Sequence, residues 1–571
     1  MFWWTNSEVA GRLKDRQHAR QAKLDASVSF QSALTPSEEK LHALPIAEIV
    51  RRCHLGEISP SEILGVYAKK TIRAQARTNC IADIMFDQAL SSVPQDNEVS
   101  GTDSDSDSEI VRNRPLLGVP ISLKETVDLE NYDSTIGFLS NVGKPAKTSA
   151  PIVRLLQDAG AILHAKTTVP TALLSLATSS PVFGNTTNPY NPEYSVGAST
   201  GGGAALIACG GSKIEIGSDV GGSVRIPAHF CGTWSLKGSA GRFPVWQNQS
   251  SVNGCEAIPL IAGPLAGSLE DLEEFWKRVM EMQPWEYDFT CVPLPWRPIN
   301  LQEEGRKLKW GIIWEDGVIP PTPACRRALS MVAEALKEQG HEVVDFTPPP
   351  IPDLLEVGYQ LLFADGGEQI RAQLVPSERI NPALQSIIDV LRLPRWFKSI
   401  VSWVNRATDP LYANLVNILH PKSIKEERDL VMERDRFKAQ WHEEWIKQGL
   451  DFVLTVPAPT PAIKHDQVLQ ASLMSCSYTF LFNVLDYTAG VLPVTKVDRK
   501  TDALPPDFDP SKMNTICKGV YSCYNSNDMH GLPLGVQVVG RRMEEEKVIE
   551  GMKVAQSALK RSGIIFEGLK G

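Results

Sequence analysis

Two glycine-dense segments constrain this chain more than any other feature. In Val196-Gly197-Ala198-Ser199-Thr200-Gly201-Gly202-Gly203-Ala204-Ala205-Leu206-Ile207, consecutive glycines sit between a hydroxyl pair and a helix-forming run. Gly217-Ser218-Asp219-Val220-Gly221-Gly222-Ser223-Val224-Arg225-Ile226-Pro227 follows shortly after. Glycine lets a backbone turn tightly and approach a neighbour closely. The first segment reads as a loop feeding a helix N-terminus, where unpaired backbone N–H groups collect. In the second, Gly221-Gly222 lets the amides from Val220 to Ser223 converge on one point. Such a nest suits a developing oxyanion, and a serine at its tip could attack a carbonyl. A pair of ordinary glycine turns is the alternative reading of the same residues.

A nucleophilic serine needs a proton acceptor. The chain has 10 histidines, but none lies in the glycine segments. His229 is the nearest, and its neighbours Pro227, Ala228, Phe230 and Cys231 mark it as a packed core histidine. Lys124 is the other candidate, at the end of the apolar run Gly118-Val119-Pro120-Ile121-Ser122-Leu123. A lysine acts as a base only when neutral, so it must be desolvated or placed in positive potential. The apolar run is compatible with burial, and equally with a surface lysine at a strand end.

The rest of the chain reads as a large α/β body. At 571 residues it is too long for one small domain. Short apolar runs at 117–121 and 161–165 predict buried strands, with a crossover helix at 150–156 between them. Ser59-Pro60-Ser61-Glu62 is a capping-box helix start. Residues 325–339 and 422–447 predict charged amphipathic helices, and 280–350, rich in Trp and Pro, a connector or peripheral layer. Strands recur at 452–456 and 534–539. A core fed from both ends of the chain argues for a single domain over 36–571, preceded by an arm over 1–35. Its dense centre spans about 115–275, and 94–109 is an acidic, solvated insertion.

Composition removes several function classes. The net charge is −9, so a nucleic-acid binder is not expected. No stretch has the length and apolarity of a spanning helix. The 10 cysteines form no CxxC pair, so neither a zinc site nor a disulfide framework is indicated. With no secretory leader, the expected location is the cytoplasm. Two features keep a membrane contact in view. Phe2-Trp3-Trp4 opens the chain, and Leu393 to Trp403 mixes basic and aromatic residues at helical spacing. Packing on the body accounts for the first, a lid or dimer contact for the second.

Lys124 upstream, Ser199-Thr200-Gly201-Gly202 and the Gly217–Pro227 segment together resemble the amidase signature family. Phe183-Gly184-Asn185-Thr186-Thr187-Asn188-Pro189, Gly263-Pro264-Leu265-Ala266 and Gly531-Leu532-Pro533-Leu534-Gly535-Val536-Gln537 extend the resemblance along most of the chain. Ala364-Asp365-Gly366-Gly367 and Asn483-Val484-Leu485-Asp486-Tyr487 are similar to its fungal acetamidase branch. The resemblance implies a large mixed central sheet covered by helices on both faces. It implies hydrolysis of a carboxamide to carboxylate and ammonia or amine, through an acyl-enzyme on Ser223. Ser199, on a cis peptide after Ala198, would bridge to a neutral Lys124. The amides of Val220, Gly221, Gly222 and Ser223 would hold the oxyanion, and the backbone of Leu173 would line the substrate site. Asp219 and Arg225 would hold the loop. No metal or organic cofactor is implied, the partner is a small-molecule amide, and a homodimer is allowed by the resemblance alone.

The chain departs from the family pattern at several points. Ala198 stands for a usual glycine, Thr200 for a serine, and Thr168 for an asparagine. Gly238 follows Lys237 in place of proline, and Ala266-Gly267-Ser268 lacks the usual arginine. None of these removes Lys124, Ser199 or Ser223. They motivate one competing reading, a degenerate, non-catalytic ligand-binding homologue. A further alternative is the amidase subunit of a tRNA-dependent amidotransferase, against which the Ala364-Asp365-Gly366-Gly367 segment and the long N-terminal arm speak.

Overall fold

Most of the strands are buried along their whole length, as expected for a sheet covered on both faces. The computed structural model describes residues 2–92, 114–301, 305–376, 378 and 380–569. The acidic tract at 94–109 and the side chains of Phe2, Trp3 and Trp4 lie outside the described residues. In chain order the strands are β1 (Ile81–Ile84), β2 (Pro120–Lys124), β3 (Ile162–Thr167), β4 (Ser179–Ser180), β5 (Gly184–Asn185) and β6 (Ile214–Asp219). They continue with β7 (Trp234–Lys237), β8 (Ile261–Ala266), β9 (Lys309–Ile312), β10 (Glu342–Asp345), β11 (Phe452–Thr455), β12 (Ala489–Lys496) and β13 (Pro533–Val539). All but the β4–β5 ladder join one 11-stranded sheet, in the order β1-β3-β2-β6-β8-β7-β12-β13-β11-β9-β10.

The sheet is mixed. β3, β2 and β6 run parallel, linked by the helices Pro151–Asp158 and Gly201–Ala208. From β6 through β8, β7, β12 and β13 to β11 the pairs are antiparallel. β11, β9 and β10 are parallel again. The register carries one face through Glu215, Leu265, Ser235, Val491 and Gln537. The helix Gly201–Ala208 lies on that face, because a Cβ on Gly203 would meet the Glu215 side chain. The helix Arg225–Cys231 lies there too, with Arg225 on Gln537. Gly490 points the other way, against Met552 of the helix Glu545–Arg561. Helices therefore cover both faces.

Local chemistry sets several element boundaries. Ser59 and Glu62 form the capping box at the start of the helix Pro60–Thr78. The predicted strand at 117–121 begins later, at Pro120. Gly118 sits at φ +80, with the position of a Cβ 2.5 Å from Cys53 Sγ, so the chain turns there before it extends. The region 280–350 is more than a connector: it supplies β9, β10 and the helix Pro323–Glu338, the far edge of the sheet. The polar N-terminal segment forms the helix Phe2–Ala26 over edge strand β1. Arg16 and Lys23 both pair with Asp83 there, at 2.7 Å and 2.6 Å, and Arg20 Nε donates to Ile81 O at 2.9 Å. Covering an exposed edge in this way blocks pairing with another chain.

The helix Arg395–Asn405 packs inside out. Its one buried side chain is Lys398, which donates to Leu391 O and Leu419 O. Trp396 and Trp403 are 66% and 78% exposed. Among the described residues no helix is long and apolar enough to cross a membrane.

Candidate active site

Lys124 ends β2 and is fully buried. Its Nζ lies 2.8 Å from Ser199 Oγ, 2.9 Å from Ser218 Oγ and 3.0 Å from Ser218 O. Burial draws its pKa from the ordinary lysine range down to about 7, against the opposing pull of Asp219 and Glu215. A neutral amine has two N–H donors and one lone pair. The Ser218 carbonyl can only accept, so it takes one N–H. The two hydroxyls are left for the other N–H and the lone pair, and this lets Ser199 donate to nitrogen. Ser218 is absent from the sequence-based site. Its place beside Asp219 in the second glycine segment was the available signal.

Ser199 follows Ala198 through a cis peptide bond. The three glycines that follow are required by close approach. A Cβ on Gly201 would lie 2.1 Å from Thr178 Oγ1, and one on Gly202 would lie 2.4 Å from the Thr168 nitrogen. Thr200, the departure from serine, donates its backbone N–H to Ser223 O at 3.0 Å and so ties the two glycine segments together. Thr168, the departure from asparagine, hydrogen-bonds Cys80 O and Thr186.

The turn carrying Ser223 is built around a buried ion pair. Asp219 accepts from Gly222 N at 2.7 Å and Val224 N at 3.0 Å. Arg225 meets the same carboxylate through Nε and Nη2, and also reaches Thr479 O, Gln537 and Asn483. Burial would raise the Asp219 pKa, but the Arg225 guanidinium holds it well below the usual carboxylate range. Gly222 has φ +126, and its Cβ position is filled by Thr479 Oγ1, so no side chain fits. Of the four amides in the expected nest, that of Gly222 is committed to Asp219. Those of Val220, Gly221 and Ser223 have no protein acceptor among the described residues.

Ser199, Ser218, Val220, Gly221, Gly222, Ser223 and Leu173 line a single cavity. Ser223 shares its wall with Ser199 without a direct hydrogen bond to it. Leu173 enters through a turn in which Ala172 and Leu173 have φ of 59° and 61°, with Leu173 N donating to Pro170 O. The remaining wall is mostly apolar and includes Leu260, Tyr359, Leu473 and Phe480. The free volume is small, about 50 Å³. A second, apolar cavity of about 370 Å³ shares Tyr359 and Leu473 with it and runs under the helix Pro410–Ile418. Sequence reasoning had no means of finding this space. His229 stands apart from the cavity, accepting from Gly535 N at Nδ1 with Thr460 O at Nε2, and burial lowers its pKa to about 4. It is the packed core histidine that its neighbours implied.

Comparison with known proteins shows the family of the chain. The Amidase family profile matches residues 62–549. Fatty-acid amide hydrolase 1 of Sus scrofa is 32% identical over 550 residues, covering 95% of this chain and 91% of that protein. The acetamidase of Aspergillus oryzae is 29% identical over 531 residues, covering 90% of each. A solved structure of a fatty acid amide hydrolase superposes with a TM-score of 0.81 at 26% identity, covering 97% of this chain and 95% of that one. The chain belongs to the amidase family and is a hydrolase of amide C–N bonds.

Proposed function

We propose that this enzyme hydrolyses amides of long apolar acyl groups, with Ser223 as nucleophile, Ser199 as proton bridge and Lys124 as base. The observation that carries the roles is the contact of Lys124 Nζ with Ser199 Oγ at 2.8 Å, on the wall of the cavity that Ser223 lines. Ser223 Oγ attacks the amide carbon and its proton passes through Ser199 to the Lys124 lone pair. The carbonyl oxygen becomes an oxyanion held by the amides of Val220, Gly221 and Ser223. Collapse expels the amine, which takes the proton back from Lys124 through Ser199. Water then repeats the sequence on the acyl-enzyme, releasing the carboxylate and free Ser223. Every group in this scheme comes from one chain, so no second subunit is needed to complete it.

The acyl-group assignment rests on the apolar cavity behind Tyr359 and Leu473, and on the fatty-acid amide hydrolases among the relatives. The tight space beside Ser199 favours the competing reading, a small amide such as the acetamidases' names imply. Ten free cysteines suit a reducing compartment, and we place the enzyme in the cytoplasm. The test has two parts. A serine-directed fluorophosphonate should give one adduct, mapped to Ser223. Across straight-chain primary amides, kcat/KM should then rise from acetamide to acyl chains long enough to pass Leu473. A maximum at acetamide rejects the long-chain assignment, and a labelled residue other than Ser223 rejects the roles.

A further inference from the structure

Glu215 is a fully buried carboxylate, the second residue of β6, that the scheme above leaves without a role. Its two oxygens accept from two hydroxyls, Ser122 Oγ at Oε2 and Thr167 Oγ1 at Oε1, the latter at 2.6 Å. Both partners flank Lys124. Ser122 precedes it by two residues on β2, on the same side of the strand, and Thr167 is its direct partner across the β2–β3 ladder. Glu215 itself is the ladder partner of Ser122 on β6. One carboxylate thus ties together the three strands that converge under the lysine. The helix above makes room for it: a Cβ on Gly203 would come within 2.3 Å of Glu215 Cγ and Cδ. The third glycine after Ser199-Thr200 is therefore the space that Glu215 occupies.

We propose that Glu215 is the positioning residue for Lys124, clamping Ser122 and Thr167 so that the amine is held against Ser199 and Ser218. The inference rests on Lys124 being the base of the proposed reaction. A residue that can only hydrogen-bond would clamp as well, but a carboxylate also acts through its charge. Burial lifts the Glu215 pKa to about 7, opposed by its hydroxyl partners and by Lys124. Glu215 and Asp219 are the two acids that raise Lys124. On β3, burial lowers the His164 pKa to about 4, and the ring lies between Ile121 O and Gly211 O, to one of which its single N–H donates. The helix Gly201–Ala208 and strand β8 carry no ionisable side chain, and the helix Leu269–Glu281 turns Asp271 to Lys213 and Glu274 to Arg278. Removing the Glu215 charge therefore makes Lys124 easier to deprotonate.

The test is the pH dependence of the fluorophosphonate labelling rate at Ser223, which needs no known substrate. Glu215→Gln retains the clamp and loses the charge. Its plateau rate should stay within about threefold of wild type, and its acid limb should move to lower pH. Glu215→Leu loses the clamp, and its plateau should fall by about tenfold or more. Should Glu215→Leu fail to fold, Ser122→Ala/Thr167→Val removes the clamp from the other side and should lower the plateau likewise. Unchanged limbs and plateaus in these variants overturn the proposal. So does an equal plateau loss in Gln and Leu with the limb unmoved, which is the result of packing alone. If wild type itself gives no adduct at Ser223, the catalytic assignment fails instead, and the two failures are thus told apart.

Discussion

Arg225 and Asp219 meet as a planar fork on a carboxylate, Nε to Oδ2 at 3.1 Å and Nη2 to Oδ1 at 2.9 Å, with both side chains fully buried. The pair holds the Gly222 and Val224 amides, and through them the turn that presents Ser223. Removing one partner strands the other charge. Arg225→Ala should cost about 3–5 kcal/mol in urea unfolding, and Arg225→Ala/Asp219→Ala less than the sum of the single variants. The folded-state pKa of Asp219 lies below its unfolded value. Its contribution is therefore complete above the unfolded pKa near about 3.9 and is lost as pH falls from there toward the folded value. Asp219→Asn should flatten that part of the stability–pH curve.

The two serines should separate kinetically. Ser223→Ala should abolish the fluorophosphonate adduct while the circular dichroism spectrum stays native. Ser199→Ala leaves the nucleophile but removes the hydroxyl 2.8 Å from Lys124 Nζ, so the adduct should form about a hundredfold or more slowly. Labelling of Ser199→Ala at the wild-type rate would remove Ser199 from the relay.

Activity should depend on pH through Lys124. Burial brings its pKa to about 7, and only the neutral amine accepts a proton. The profile of kcat/KM should rise with pH through about 7 and level above it, with the limb reporting free enzyme. A profile still flat at pH 5 would mean that another group is the base.

Gly202→Ala should destabilise the protein without touching the chemistry directly. The added methyl would sit 2.4 Å from the backbone nitrogen of Thr168, which cannot swing aside as a side chain can. A loss of about 1–3 kcal/mol is expected, read as a lower midpoint in thermal unfolding.

Leu473 stands at the junction of the catalytic and apolar cavities. Leu473→Trp should close that junction. The kcat/KM for long-chain amides should drop about tenfold or more, with acetamide turnover little changed. Equal effects on both substrates would place the acyl chain elsewhere.

The sequence by itself determined what local chemistry decides. Ser59 and Glu62 announce a helix start because a capping box works within one turn. The strand ending in Lys124, the crossover helix Pro151–Asp158 and the packed His229 were all legible from neighbours in the chain. The glycines after Thr200 and around Ser223 marked where the backbone turns tightly and neighbours approach closely. Tertiary structure alone decided which distant residues meet. Sequence patterning missed the edge strand β10, because Glu342 to Asp345 is partly exposed and carries no continuous apolar run. Ser218 as a ligand of Lys124, Gly222 turned to Asp219, Asn483 and Gln537 on Arg225, and the Glu215 clamp all depend on register across strands. Register is set by long-range packing, and a shift of one residue would turn the strand residues Glu215, Ser218 and Gln537 to the other face. The lysine was readable as a residue, but its basicity was not: burial in the assembled sheet is what lowers its pKa to about 7.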